Sequence, residues 1–280
     1  MTASDHDPRM RIHIAHRNVY HYVPPAAGVI QVLRLTPRNH EGQYVVRWRI
    51  DVSADARLAA HEDAFGNIMH VFSADGPFDE LSVEIDGEVE TQNTQGVVRG
   101  TLERFAPSLF LRDTALTQAD PAIREFAHGV RARQGGEVLA ELHGLLDWLY
   151  QEMAHDAEAP LGTAAAMNAA EAFGRRHGAA QDLSHVFISA AHSLGIPARY
   201  VGGYHRRDDG IEPQQGNHAW AEAFVPDLGW IAFDPANGFC PTDAHVRVAI
   251  GLDSLGAASV RGTRYGQGVE TLAVAIKVGQ

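Results

Sequence analysis

Residues 11–22 (RIHIAHRNVYHY) mix apolar and polar positions in near alternation, with aromatics among them, and Pro24 and Pro25 are expected to end that run. The next segment, 29–37 (VIQVLRLTP), alternates cleanly, with Val29, Gln31, Leu33 and Leu35 on one side and Ile30, Val32 and Arg34 on the other. Residues 44–52 (YVVRWRIDV) repeat the period and set Val46, Trp48, Ile50 and Val52 on one face. A turn signal at 63–67 (DAFGN) separates strands, and 67–72 and 80–90 add two more, the second interrupted at Asp86–Gly87. Short antiparallel strands with turn-rich gaps predict a small β-sandwich or curved sheet. Nothing in this part has catalytic spacing, which leaves it packing, partner contact or one wall of a cleft.

Around residues 96–107 the alternation fades, which divides the chain into a β-rich N-terminal domain (1–105) and a second domain (106–280). Helical spacing follows. Asp120–Pro121 is a cap and first-turn pair for a helix over 121–133. Residues 138–153 line up Leu139, Leu142, Leu145, Leu146, Leu149 and Tyr150, and 168–174 fit a short helix. In 181–194 (QDLSHVFISAAHSL) Leu183, Val186, Phe187, Ala190, Ala191 and Leu194 recur at helical steps, and Gly195 stops the run. Strands are expected at 198–204, 218–225 and 230–234, the last two joined by a PDLG turn, and at 246–250 and 271–278. The polar stretch 205–217 reads as a loop able to move over a site. The whole predicts an α+β protein with helices packed on an antiparallel sheet.

Position 180 lies where a glycine-bearing turn enters the buried helix. A group there meets unsatisfied backbone N–H groups and the positive end of the helix dipole, a setting that would stabilise a thiolate. His218 opens one strand of the hairpin and Asp234 ends the other, so a base on one strand is steered by a carboxylate on its neighbour. By alternation His218, Trp220 and Glu222 share a face and are expected to look into one cleft. The residue at 180 is Ala, which can neither attack a carbonyl nor lose a proton.

Composition narrows the chemistry. The formal net charge of -12 disfavours a nucleic-acid footprint. No window approaches the roughly 18 apolar residues of a membrane helix, and the polar opening residues do not resemble a secretion signal, so a cytoplasmic location is expected. The single cysteine, Cys240, precludes an internal disulfide and a multi-thiolate metal site, and no helix N-terminus is evident beside it. Asp182, His185 and His192 could share a helix face, but ordinary hydrogen-bonded roles fit them better than a metal.

The runs GAAQDLSH (178–185), GIPARYVGGY (195–204), NHAWAEAF (217–224) and GWIAFDPANG (229–238) resemble the bacterial transglutaminase-like family of the papain-fold superfamily. That family's core has a G-V-C-Q-D turn entering a helix, then H-A-W-x-E, then an F-D-P-T-N-G strand end. LRLTPR (33–38) and DAFGN (63–67) resemble the β-rich domain that often precedes it. The resemblance implies a papain-like core, thiol-mediated amide hydrolysis or acyl transfer on peptide or glutamine-type amides, and no cofactor. No DxDxDG loop suggests calcium. It maps the nucleophile to Ala180, the base to His218, the orienting carboxylate to Asp234, and supporting positions to Gln181, Asp182, Trp220 and Glu222. Where the family has cysteine this chain has alanine, through laboratory replacement or natural loss. The expected partner is a peptide or protein, as substrate or as ligand of a pseudoenzyme, with self-association a further possibility.

Overall fold

The structure is a computed structural model that describes residues 9–157, 166–214 and 216–280. Residues 1–8, which carry most of the polar opening segment, and Gln215, within the expected loop, lie outside the described residues. The β-rich part comprises β1 (Met10–Thr36), β2 (Gln43–Val52), β3 (Ala59–Glu62), β4 (Ile68–Thr91) and β5 (Val97–Val98). After them come α1 (Pro121–Gln134), α2 (Val138–Glu152), β6 (Ala154–His155), α3 (Ala169–Arg175), β7 (His177–Gly178), α4 (Ala180–Ser193), β8 (Ala198–His205) and β9 (Pro213–Gln214). The chain continues through β10 (His218–Val225), β11 (Gly229–Phe233), β12 (His245–Gly251), β13 (Val260–Tyr265) and β14 (Val269–Gly279). The α+β expectation holds.

Alternation becomes burial directly in β1, where Ile12, Ile14, His16, Asn18, Tyr20 and Tyr22 are all buried on one side. Two expected breaks are not breaks. Pro24 and Pro25 sit inside β1, where its register against β4 shifts between His21 and Ala26, so no ladder N–H is required of either proline. Asp86–Gly87 does not interrupt β4 either. Gly87 lies opposite Trp48 in the β2–β4 register, and a Cβ there would stand 2.1 Å from the indole Cε3. The glycine makes room for a ring.

The helix α4 is the centre of the second unit. Every residue from Ala180 to Ala191 is buried, as expected of a helix enclosed on all sides. Its flank meets Ala219, Ala221 and Ala223 of β10, whose small side chains let helix and sheet approach, while α1, α2 and α3 cover its other sides. Full burial of Leu183, Val186 and Phe187 contributes about 1.5–3 kcal/mol each. Asp120 caps α1 as expected, its Oδ1 accepting the Ile123 N–H at 2.8 Å.

Sheet membership differs from the simple order expected. The second sheet runs β12-β8-β10-β11-β5, and the first runs β2-β4-β1-β14-β9 with β13 also on β1 and β3 on β4. Residues 271–278 do form a strand, but β14 pairs with β1 rather than with the sheet on α4. In the other direction, β5 joins β11. The chain therefore crosses the boundary expected near residue 105 in both directions. Periodicity reports which residues face a core, whereas β1, long and open on two edges, determines which strands come back to it. Among the described residues no helix is long and apolar enough to cross a membrane.

Overpacking at the Gly87–Trp48 contact is expected to cost about 2 kcal/mol in Gly87→Ala. Urea unfolding checks this, and a variant as stable as the parent would refute the steric account.

Candidate active site

The turn into α4 is built around one carboxylate. Asp182 accepts the Ala179 N–H on Oδ2 at 3.0 Å and the Met167 N–H on Oδ1 at 2.9 Å. Gly178 leaves room for it, since a Cβ there would lie 2.8 Å from the Asp182 Cβ. Burial pushes the Asp182 pKa up, against the pull of those backbone donors. Asp182 thus shapes the helix start. Ala180 is the first helical residue, with Ala179 as N-cap and extended backbone at φ -72 and ψ 169. The methyl group of Ala180 occupies the place where helix dipole and free N–H groups would favour an anion. Next to it, Gln181 is 3% exposed and its Nε2 has no hydrogen-bond partner among the described residues.

His218 and Asp234 meet as the hairpin implies, with His218 Nε2 donating to Asp234 Oδ2 at 2.6 Å. A carboxylate only accepts, so Nε2 carries the proton and the Nδ1 lone pair is left as the basic site of the neutral ring. Burial alone would raise the Asp234 pKa. Its attraction to His218, with hydrogen bonds from His218 and His245, instead holds the carboxylate well below the usual range. Two partners of Asp234 went unread in the sequence. His245 Nε2 donates to Oδ2 at 3.1 Å and Asn237 Nδ2 at 2.8 Å, while the Ala236 and Asn237 N–H groups reach Oδ1. Asn237 sits in the DPANG run and was within reach of motif reasoning. His245, eleven residues past Asp234, becomes a neighbour only because β12 lies beside β8.

Trp220 and Glu222 do not look into a cleft. Trp220 is buried among Phe110, Val201, Trp230 and Ile250, on the side of the second sheet away from α4, with its ring edge-on to His245. Glu222 is fully buried between guanidinium groups. Arg199 Nε donates to its Oε2 and Arg247 Nε to its Oε1, each at 2.7 Å, and Arg199 also forks onto Glu103. Burial would raise the Glu222 pKa, but Arg247 and Arg199 bring it down to about 2. Alternation gave these two residues the right face; it could not show that protein covers that face.

Asp182, His185 and His192 do not converge. His192 pairs with Asp113, and His185 accepts the Ser254 N–H. Among the described residues the histidines that do gather are His205, His218 and His245, with ring nitrogens within 4.8 Å of one another. The Thr242 N–H donates to His245 Nδ1 at 3.2 Å, which places the His245 proton on Nε2, facing Asp234. In His245 both ring nitrogens are engaged, Nδ1 by the Thr242 N–H and Nε2 by Asp234, so this ring has no lone pair free for a metal. Cys240 is a free thiol whose pKa burial pushes up to about 11, the opposite of an activated nucleophile.

His218, Asn217 and Gln181 line a cleft of about 590 Å³ between the two sheets. Its walls carry Tyr20, Tyr22 and Gln31 of β1 on one side, and Tyr200 of β8 and Val248 of β12 on the other.

Burial also lowers the pKa of His16 and His185 to about 4. The unfolded chain holds these protons from about pH 6.5 downward. Stability from the two neutral rings is therefore present above that pH and is lost as pH falls toward 4, by up to about 1.4 kcal/mol per pH unit for each ring. Urea midpoints between pH 7.5 and 4.5 are expected to fall accordingly, with a shallower slope in His185→Gln; equal slopes would contradict the assignment.

Comparison with known proteins agrees with this geometry. Residues 12–90 match the bacterial transglutaminase-like N-terminal region, and residues 124–235 match the transglutaminase-like superfamily. An uncharacterized protein of Mycobacterium leprae is 27% identical over 96% of this chain and 98% of its own length. One from Mycobacterium tuberculosis is 25% identical over 91% of this chain and 88% of its own length. The fold is shared with the crystal structure of a candidate cysteine protease from Cytophaga hutchinsonii, at a TM-score of 0.74, 18% identity, and coverage of 97% of this chain and 91% of that one. With residues 12–90 and 124–235 matched to its two regions, this chain belongs to the bacterial transglutaminase-like family.

Proposed function

We propose that this chain is an amide-binding scaffold of the cysteine hydrolase and acyltransferase type, with its relay assembled and its nucleophile missing. The observation that carries this reading is the 2.6 Å pair of His218 and Asp234, set in the same cleft as the start of α4 and holding the tautomer a thiol would need. A cysteine at 180 would pass its proton to His218 Nδ1, and the thiolate would attack a peptide or glutamine-side-chain carbonyl. His218 would then protonate the leaving amine, and water or a second amine would resolve the thioester. The backbone N–H groups at the start of α4 are donors suited to the developing oxyanion. With alanine there, the chain holds a peptide or protein ligand and does not turn it over.

The Ala180→Cys variant is expected to hydrolyse, or transfer to an added amine, amides from a glutamine-containing peptide library. Its activity should drop to background with His218→Ala and at least about a hundredfold with Asp234→Asn. The parent chain should form no acyl adduct by intact mass and peptide mapping. An adduct within the cleft of the parent chain would overturn the proposal. So would a folded Ala180→Cys protein with a reactive thiol that turns over no member of the library.

A further inference from the structure

We infer that the cleft takes an extended polypeptide that docks as an added strand along the outer edge of β13. This deepens the proposed function and rests on the cleft being its ligand site. The first observation is the backbone. The strand β13 pairs with β1 from Gly28 to Leu33, and among the described residues no strand pairs with its other edge. Along β14, which pairs with β1 from His13 to Val23, the outer edge among the described residues meets β9 at Ile276 and Lys277 and the Glu212 carbonyl at Val278. Within β13 every residue from Val260 to Arg264 lines the cleft without a gap, as does the segment 257–259 that leads into it. A strand that shows its face contributes alternate residues; an unbroken run shows its edge. The cleft therefore borders a row of backbone N–H and C=O groups that no strand occupies, the template for strand addition.

The second observation is the side chains. Three residues that line the cleft are more than nine-tenths buried and keep a polar atom without a partner among the described residues: Gln31 Oε1, Gln181 Nε2 and Ser254 Oγ, at 5%, 3% and 6% exposure. Arg34 Nη1 and Arg264 Nη1, also on its walls, are unpartnered as well. Buried polar groups are ordinarily satisfied, and each one left unmade costs about 1–3 kcal/mol. These atoms are sealed from solvent, so a side-chain rotation must bring each to a ligand. Gln31 Oε1 then requires a donor, Gln181 Nε2 and the two guanidinium groups require acceptors, and Ser254 Oγ serves either. A phosphate or carboxylate alone offers only acceptors, and an acyl chain offers neither. A polypeptide backbone offers both at every residue, at the spacing of a strand edge. Gln181 and His218 line the same cleft, so a strand on β13 shares it with the start of α4 and the His218 ring.

The probe is a library of N-acetylated, C-amidated decapeptides with one fixed glutamine, titrated against the full chain. The best binder is then resynthesised with N-methyl groups on its odd or its even backbone amides. One set should weaken binding at least tenfold and the other should leave it within twofold, because only one edge of the added strand faces β13. Gln31→Leu should weaken binding several-fold while leaving the thermal midpoint unchanged or raised. Equal effects of the two N-methyl sets, no binder up to millimolar concentration, or undiminished binding by Gln31→Leu would overturn the inference. Strand-like binding beside an inactive Ala180→Cys variant would sink the proposed chemistry and keep this docking mode. Turnover by Ala180→Cys with no difference between the N-methyl sets would do the reverse.

Discussion

A fully buried carboxylate, Asp234, organises the second half of the molecule. Left without partners, such a charge would cost several kcal/mol. Here one oxygen accepts from His218, His245 and Asn237, and the other from two backbone N–H groups of the following turn. These donors come from the start of β10, the start of β12 and the turn that leaves β11. To satisfy one anion the chain must bring three strand ends together at the edge of the cleft. The Glu222 cluster repeats the solution deeper in the same sheet, with Arg199 and Arg247 as partners and Trp230 under the Arg199 guanidinium at 3.8 Å.

That constraint bears on why the His218–Asp234 pair stands beside an alanine. A change of side chain at position 180 leaves every partner of Asp234 in place. Exchanging His218 would strip a buried anion of its shortest hydrogen bond. None of the hydrogen-bond partners of Asp234 is residue 180, so an intact His218–Asp234 pair needs no ongoing catalysis to account for its presence. This decoupling is compatible both with a single laboratory substitution and with a natural member that retains the cleft for binding.

Much of the fold was legible in residue order. The span of α4, the hairpin that brings His218 to Asp234, and the alternation of β1, β2 and β4 all follow from period and punctuation. What period cannot convey is partnership. Residues 271–278 read as a strand whichever sheet they join, and the return of β14 to β1 depends on an open edge more than two hundred residues away. His245 escapes a reading by period for the same reason, because its meeting with Asp234 is a matter of sheet order. Trp220 and Glu222 were assigned the right face but the wrong neighbours: alternation cannot tell a face that borders a cleft from one sealed by Phe110 and two arginines. Gly87 read as a break because an isolated glycine weakens a strand, whereas the Trp48 ring makes it a necessity.

The pairing of β1 with β13 and β14 also bears on synthesis. On the ribosome, β1 and β4 emerge early and can pair, but the other side of β1 stays bare until residues 260–279 have been made. For most of translation the nascent chain thus displays an uncovered strand edge rich in valine, isoleucine and tyrosine, the kind of surface that chaperones cover and that recruits neighbouring nascent chains. Damage near the 3′ end of the message would therefore matter more than its distance from His218 suggests. It would release a chain with its relay residues intact and a sticky seam left open along its first strand.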